Sequence, residues 1–267
     1  MKEMIVSVII PMYNAKKTIV QSIESVLNQS YKGNVEIIIV NDGSTDGCDH
    51  TVQDFILNCK TKIKIKLIHK ENRGVSSARN KGIKESLGGW VALLDSDDIW
   101  LPHKLEKQIA TIKLYKDIKF IGTVKDDDYY PFFDKKSSNV FTLNSKEIIM
   151  KWYPHPSTVL FDKKILIQSG LFDEGKTHAE DGDLWLRIAL YYQVYCLNEK
   201  LVRTALSKKS FGDIGLSSNM PKMYQGEVSI IRNAKIRKQI NLLQFIFFYV
   251  WLTIKYSRRK IIVFLTR

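Results

Sequence analysis

A chain of 267 residues, 45% hydrophobic and 26% charged, has the make-up of an ordinary folded protein with room for one large α/β domain. That composition argues against disordered and collagen-like classes. Its three cysteines, Cys48, Cys59 and Cys196, show no CxxC spacing and leave one unpaired, which argues against a disulfide scaffold and for a reducing cytoplasm.

The net charge of +13 is uneven: from Leu201 to Arg267 there are 13 Lys or Arg against Asp213 and Glu227, 13 − 2 = +11, leaving +2 for the first 200 residues. A tail of this kind suits an anionic partner, either a membrane or a nucleic acid.

In chain order, the opening MKEMIVSVIIPMYN has a short apolar run that stops at Pro11 and offers no small-residue cleavage site. It reads as a buried first strand, Ser7 to Ile10, and not as a signal peptide. Asn14 is placed to cap a helix whose Ile19, Ile23, Val26 and Leu27 share one face. Val35 to Val40 (VEIIIV) is a second strand buried on both faces, and Ile63, Ile65 and Leu67 alternate with lysines as in a strand nearer an edge. A helix from about Ser76 to Leu87 stops at Gly88-Gly89, and Trp90 to Leu94 (WVALL) is a further buried strand. Strand and helix in alternation predict a parallel sheet wound from βαβ units.

Beyond residue 100 the pattern loosens. Pro102 opens a helix with Leu105, Ile109 and Ile112 on one face. DDDYYPFFDKKSSN reads as a long surface loop, and STVLF as an apolar segment ahead of a short helix and Gly170. In AEDGDLWLRIAL, Leu184, Trp185, Ile188 and Ala189 share a helical face, with Trp185 in the core. Leu242 to Ile254 (LLQFIFFYVWLTI) is apolar but for Gln244 and Thr253, and Lys255, Arg258, Arg259 and Lys260 follow it. Thirteen residues are too few to span a bilayer. A helix lying in the membrane interface fits, and so does a core helix flanked by solvated lysines.

The carboxylates fall where chemistry is expected. Asp42 follows VEIIIV in the run NDGSTDG, and Asp95, Asp97 and Asp98 follow WVALL in LLDSDD. In open α/β sheets the ligand crevice lies at the carboxyl ends of strands. Carboxylate pairs there suit a hard divalent cation that bridges phosphates. Asp, Ser and Gly are also ordinary turn residues, but two such clusters ending two strands favour a site. GxGxxG after the first strand, GxxxxGK[ST] and HExxH are all absent.

SVIIPMYNAKKTIVQSIESVLNQSY, IIIVNDGSTDG, NRGVSSARNKGI, LLDSDDIWLPHKLEKQ and AEDGDLWLR occur in the order found in family 2 inverting glycosyltransferases, over about residues 4 to 190. The chain resembles that family, whose bacterial members include enzymes of O-antigen, capsule and lipooligosaccharide assembly. The resemblance implies a GT-A fold: an α/β domain with a mostly parallel central sheet flanked by helices, here with a helical basic tail. Residues 1–205 would form the catalytic domain, about 1–100 for the nucleotide sugar and 101–205 for the acceptor, and 206–267 an extension near a membrane. By the same resemblance Pro11, Tyr13 and Asn14 line the nucleotide pocket, and Asp42 bonds the uracil. Gly74 and Arg79 approach the nucleotide and its phosphates, Asp95 contacts the ribose with Ser96 beside it, and Asp97 holds the metal, Mn2+ or Mg2+. Asp181 would be the catalytic base, supported by Glu180.

The implied reaction is transfer of one hexose from a UDP-sugar to a glycan hydroxyl. A Gln-x-x-Arg-Trp motif, which marks processive relatives, is absent after the base. No His follows His178 as a further metal or phosphate ligand, a place that Lys208 or Lys209 could fill. HPSTVLF, from His155 to Phe161, is a candidate for facing the acceptor. The tail points to a polyprenyl-diphosphate-linked acceptor, with the enzyme on the inner face of the cell membrane. A soluble or protein acceptor is the alternative. Nucleic acid fits poorly, because the tail's aromatics cluster and do not interleave with its basic residues.

Overall fold

The computed structural model describes residues 4–125, 139–151, 154–204 and 219–266. The described residues form an α/β fold around one nine-stranded sheet. The strands are β1 (Val6–Met12), β2 (Val35–Asp42), β3 (Lys64–Lys70), β4 (Trp90–Leu93), β5 (Ile99–Trp100), β6 (Phe120–Lys125), β7 (Val140–Leu143), β8 (Leu160–Asp162) and β9 (Val194–Arg203). Their order is β3-β2-β1-β4-β8-β6-β9-β5, with β7 also on β9. The first four are mutually parallel. β8 is antiparallel to both of its neighbours, so β6 and β9 run with β1 again. The sheet is therefore mostly parallel, as expected.

The helices are α1 (Ile19–Leu27), α2 (Cys48–Asn58), α3 (Val75–Glu85), α4 (Lys104–Leu114), α5 (Ser145–Lys151), α6 (Leu166–Ser169), α7 (Glu180–Ile188), α8 (Met220–Ile236) and α9 (Leu242–Thr266). Every residue of β1 is buried, because helices cover both faces of the sheet. Alternate side chains feed two core layers. Ile9, Ile38 and Val40 pack with α3, Phe120, Phe161 and Trp185. Val8, Ile10, Ile37 and Ile39 pack with α1, α2 and α4 on the other side. α3 sits so close to β1 that a Cβ on Gly82 would come within 2.3 Å of the Ile9 side chain.

One expectation is corrected. α1 begins at Ile19, and its N-terminal residue Thr18 makes no side-chain cap bond. Asn14 is not the cap, because its backbone has turned into the left-handed region at φ 49° and its side chain bonds another loop. The tail helix is longer than its apolar run: α9 continues through the basic cluster to Thr266. Phe248 and Leu252 of α9 join the core with Ile230, Ile231 and Ala234 of α8. No helix among the described residues is long and apolar enough to cross a membrane. Trp185 is wholly buried and donates to the Pro154 carbonyl at 2.9 Å, so it is a core residue as expected.

Candidate active site

β1, β2 and β4 are parallel neighbours, so the loops after their carboxyl ends open on one edge of the sheet. At the end of β1, Pro11 is buried within the strand while Tyr13 and Asn14 emerge into solvent. Asn tolerates the left-handed conformation better than most residues. Asn14 uses it to accept from the Thr45 N–H at 2.8 Å, while its own N–H donates to Ser44 Oγ at 3.0 Å. The turn after β1 is thereby fastened to the NDGSTDG loop after β2. In that loop Asp46 accepts from the Lys16 N–H at 2.8 Å.

Asp42, at the end of β2, is buried and accepts from two backbone groups, Arg73 N–H at 3.1 Å and Gly74 N–H at 2.8 Å. Lys70 completes an ion pair with it. Gly74 presents its N–H in this way because it holds φ 86° and ψ 167°, a region that side chains resist. It leads straight into α3.

Arg79, on α3, ties the two halves of the site together. Its guanidinium is almost fully buried and donates to Asp95 Oδ1 at 2.7 Å and to Glu180 Oε1 at 2.8 Å. Burial works against its charge, but Asp95 and Glu180 outweigh that and raise its pKa. Its Cζ lies 5.3 Å from the centroid of the Phe172 ring. The cost of burying such a charge is met only by hydrogen-bonded carboxylates of this kind.

Asp181 follows Glu180 in the first turn of α7 and accepts its own helix's Gly182 N–H at 2.8 Å. Burial pushes its carboxyl up to about 7, with the neighbouring Glu180 adding to the rise and Arg79 opposing it. A carboxylate with a pKa near neutrality has the basicity needed to take a proton at physiological pH. Asp183 has a different job. It is buried in ion pairs with Arg187 at 2.9 Å and Arg237 at 3.3 Å, and so holds α7 against α8.

After β4, the turn closes by an Asp98 N–H to Asp95 carbonyl bond of 3.0 Å, with Ser96 and Asp97 between them. Ser157 locks this turn to the segment before β8: its hydroxyl accepts from the Asp95 N–H at 3.0 Å and donates to Asp98. His155 lies 3.7 Å from Asp98. Asp95, Asp98 and His155 together bring three ligand atoms within 4.8 Å of one another. Two carboxylate oxygens and an imidazole nitrogen form a donor set that could hold a divalent cation.

The fold thus brings Arg79, Asp95, Glu180 and Asp181 together, and separately joins Asp42 to Gly74. Asp97 lies on the same turn but is not in the three-group cluster. Asp98 and His155 are the residues of this cluster that motif reasoning named but did not assign to the metal. The signal was present in the second Asp of SDD and in the HPSTVLF segment. Lys208 and Lys209, and nearly all of the loop DDDYYPFFDKKSSN, lie outside the described residues.

Three comparisons bear on this geometry. The sequence profile of Glycosyl transferase family 2 matches residues 7–175. An uncharacterized glycosyltransferase of Rickettsia bellii is 34% identical over 250 residues, 89% of this chain and 34% of that protein. The chain therefore spans about a third of the length of that relative. The UDP-Glc:alpha-D-GlcNAc-diphosphoundecaprenol beta-1,3-glucosyltransferase WfgD of Escherichia coli is 30% identical over 236 residues, 80% of this chain and 84% of that one. Among solved structures, the mannosyltransferase PcManGT from Pyrobaculum calidifontis, in complex with GDP-Man and Mn2+, superposes with a TM-score of 0.70. The match is at 19% identity over 92% of this chain and 69% of that one.

Proposed function

The chain belongs to glycosyl transferase family 2 and is a glycosyltransferase, and from that premise we propose that it moves one hexose from a UDP-sugar to a hydroxyl of a lipid-linked glycan, with inversion at the anomeric carbon. The observation that carries this reading is the Arg79 bridge. It sets Asp95, on the nucleotide side, and Glu180, beside the candidate base Asp181, on one guanidinium. UDP as the donor nucleotide draws support from WfgD, whose name specifies UDP-Glc.

In the proposed reaction the acceptor oxygen attacks the anomeric carbon from the side opposite the diphosphate. Asp181 takes the hydroxyl proton as the new C–O bond forms, and the bond to UDP breaks with its electron pair leaving on the diphosphate. Glu180 and Arg79 hold Asp181 in place and set how readily it ionises. Asp42, Asn14, Tyr13 and Pro11 shape the pocket for the base, with Asp95 and Ser96 toward the ribose. Asp97, by family pattern, or Asp95, Asp98 and His155, by their gathered atoms, would hold a divalent ion that neutralises charge on the departing diphosphate.

Surface polysaccharide assembly at the inner face of a bacterial membrane is the setting we propose. Residues 1–205 act there as the catalytic domain, and the tail from 206 meets the membrane. The test is UDP release from a panel of UDP-sugars, with and without an N-acetylglucosaminyl-diphosphate-lipid analogue, in Mn2+ and after EDTA. Acceptor-dependent release from one donor, abolished by EDTA, is the expected result. Equal release with a soluble sugar or protein acceptor would sink the lipid-linked part. Asp97→Asn and Asp98→Asn run alongside, and the variant whose activity needs more Mn2+ identifies the ligand.

A further inference from the structure

α9 has two apolar faces, and among the described residues only one of them is packed. Its 25 residues extend for roughly 37 Å at 1.5 Å per residue. The inner face is sealed on α8. Leu252 is 0% exposed, Tyr256 stacks on Tyr224 at 4.7 Å, Thr253 bonds the Tyr224 hydroxyl at 2.8 Å, and Arg259 pairs with Glu227 at 3.5 Å. α8 is in turn fixed to the helix that carries Asp181, through the Arg237–Asp183 pair and a Gln239 bond to the Leu186 carbonyl at 2.8 Å.

The outer face carries Leu243, Phe247, Val250, Ile254 and Ile261, all exposed, Leu243 at 77% and Ile254 at 57%. Their spacings of four, three, four and seven keep them on one stripe of the helix. Trp251 borders the stripe. Soluble monomers rarely leave a continuous apolar strip of this length open.

We propose that this stripe docks on an anionic bilayer, with α9 lying along the interface and not across it. Charge selects the occupant. α9 contains no Asp or Glu, and Arg258 and Lys260 flank the stripe on opposite sides. Two copies packed stripe to stripe would offer these cations no acid from either helix. Phospholipid headgroups supply the missing negative charge, while the stripe meets the acyl boundary. The proposal rests on the membrane-side reading given above, and it is tested by binding alone.

The full chain is mixed with vesicles of phosphatidylcholine, with or without phosphatidylglycerol, and recovered by flotation, and its mass is measured by light scattering. Flotation with the phosphatidylglycerol vesicles is expected. It should be lost in a Phe247→Glu/Ile254→Glu variant that keeps its circular dichroism and its donor hydrolysis. Arg258→Gln and Lys260→Gln should each weaken binding about fivefold. Three results would overturn the proposal: no flotation, flotation that survives the double substitution, or a dimer that the same substitution splits. If vesicles bind but a lipid-linked acceptor is not glycosylated, the acceptor reading fails and this one stands.

Discussion

Asp42 is gripped by two backbone N–H groups, those of Arg73 and Gly74, and paired with Lys70, whereas Glu180 and Asp95 are gripped together by one side chain, Arg79. The first arrangement is written into the course of the chain. Its two donors survive any side-chain change that leaves the backbone at Arg73 and Gly74 in place. The second is written into a side chain 101 residues away in sequence from Glu180, and one substitution removes it. A carboxylate held by backbone at Asp42 and a carboxylate pair held by one side chain at Asp95 and Glu180 are therefore built from different materials, and mutations should report that difference.

The largest effect is expected at Asp181, the proposed base. Asp181→Asn keeps the shape but cannot accept the proton, so kcat should fall on the order of 10³-fold with donor KM little changed. In the wild type, the carboxyl sits at about 7 and must be ionised to act. Below that pH it keeps its proton, so kcat/KM should drop about tenfold per unit and level off above it. Stability should run the other way. A carboxyl whose folded pKa is raised opposes folding increasingly as pH climbs from its ordinary value toward 7. Asp181→Asn should therefore unfold later than wild type at pH 8, and the gap should close in acid. A flat rate profile between pH 6 and 8 would remove Asp181 from the role of base.

Next comes the bridge. Arg79→Met leaves Glu180 and Asp95 facing each other without the cation, and removing one partner of a buried pair typically costs about 3 kcal/mol. Arg79 also holds the Asp181 pKa down, so its loss should move the acid limb of the rate profile to higher pH. Denaturant melts and the pH profile together decide the matter. Full stability with an unmoved limb would show that the bridge positions nothing.

Much of this half-and-half character was legible in the residues. VEIIIV and WVALL announce buried strands, and the acids that follow them do lie at one edge of the sheet. β3, with its lysine alternation, is indeed at an edge. What escaped reading depends on long-range contacts or on backbone geometry. α2 is polar along most of its length, with only Cys48 and Val52 fully buried, so its periodicity is faint. Asn14 looks like a cap until its partner Thr45 is seen 31 residues on. The pairing of Asp98 with Ser157 spans 59 residues, and no local pattern signals it.

The smallest effect tests the backbone half of the comparison. Gly74 holds φ 86° with ψ 167°, and a Cβ built on it would meet nothing within 4 Å. Space is therefore no obstacle to Gly74→Ala, and the only cost is torsional, about 1–2 kcal/mol in a region close to glycine-only. The chain can relieve that cost by turning φ negative, but only by swinging the Gly74 N–H away from Asp42. Donor KM should then rise while kcat holds, because Asp181 and its bridge are untouched. Gly89→Ala is the control. It too has nothing within 4 Å of its Cβ, and its φ is not positive, so it should behave as wild type within about 0.5 kcal/mol. Equal behaviour of the two variants, in melting and in KM, would mean that Asp42 is held by Lys70 and the Arg73 N–H alone, and the contrast between the two halves would lose its backbone side.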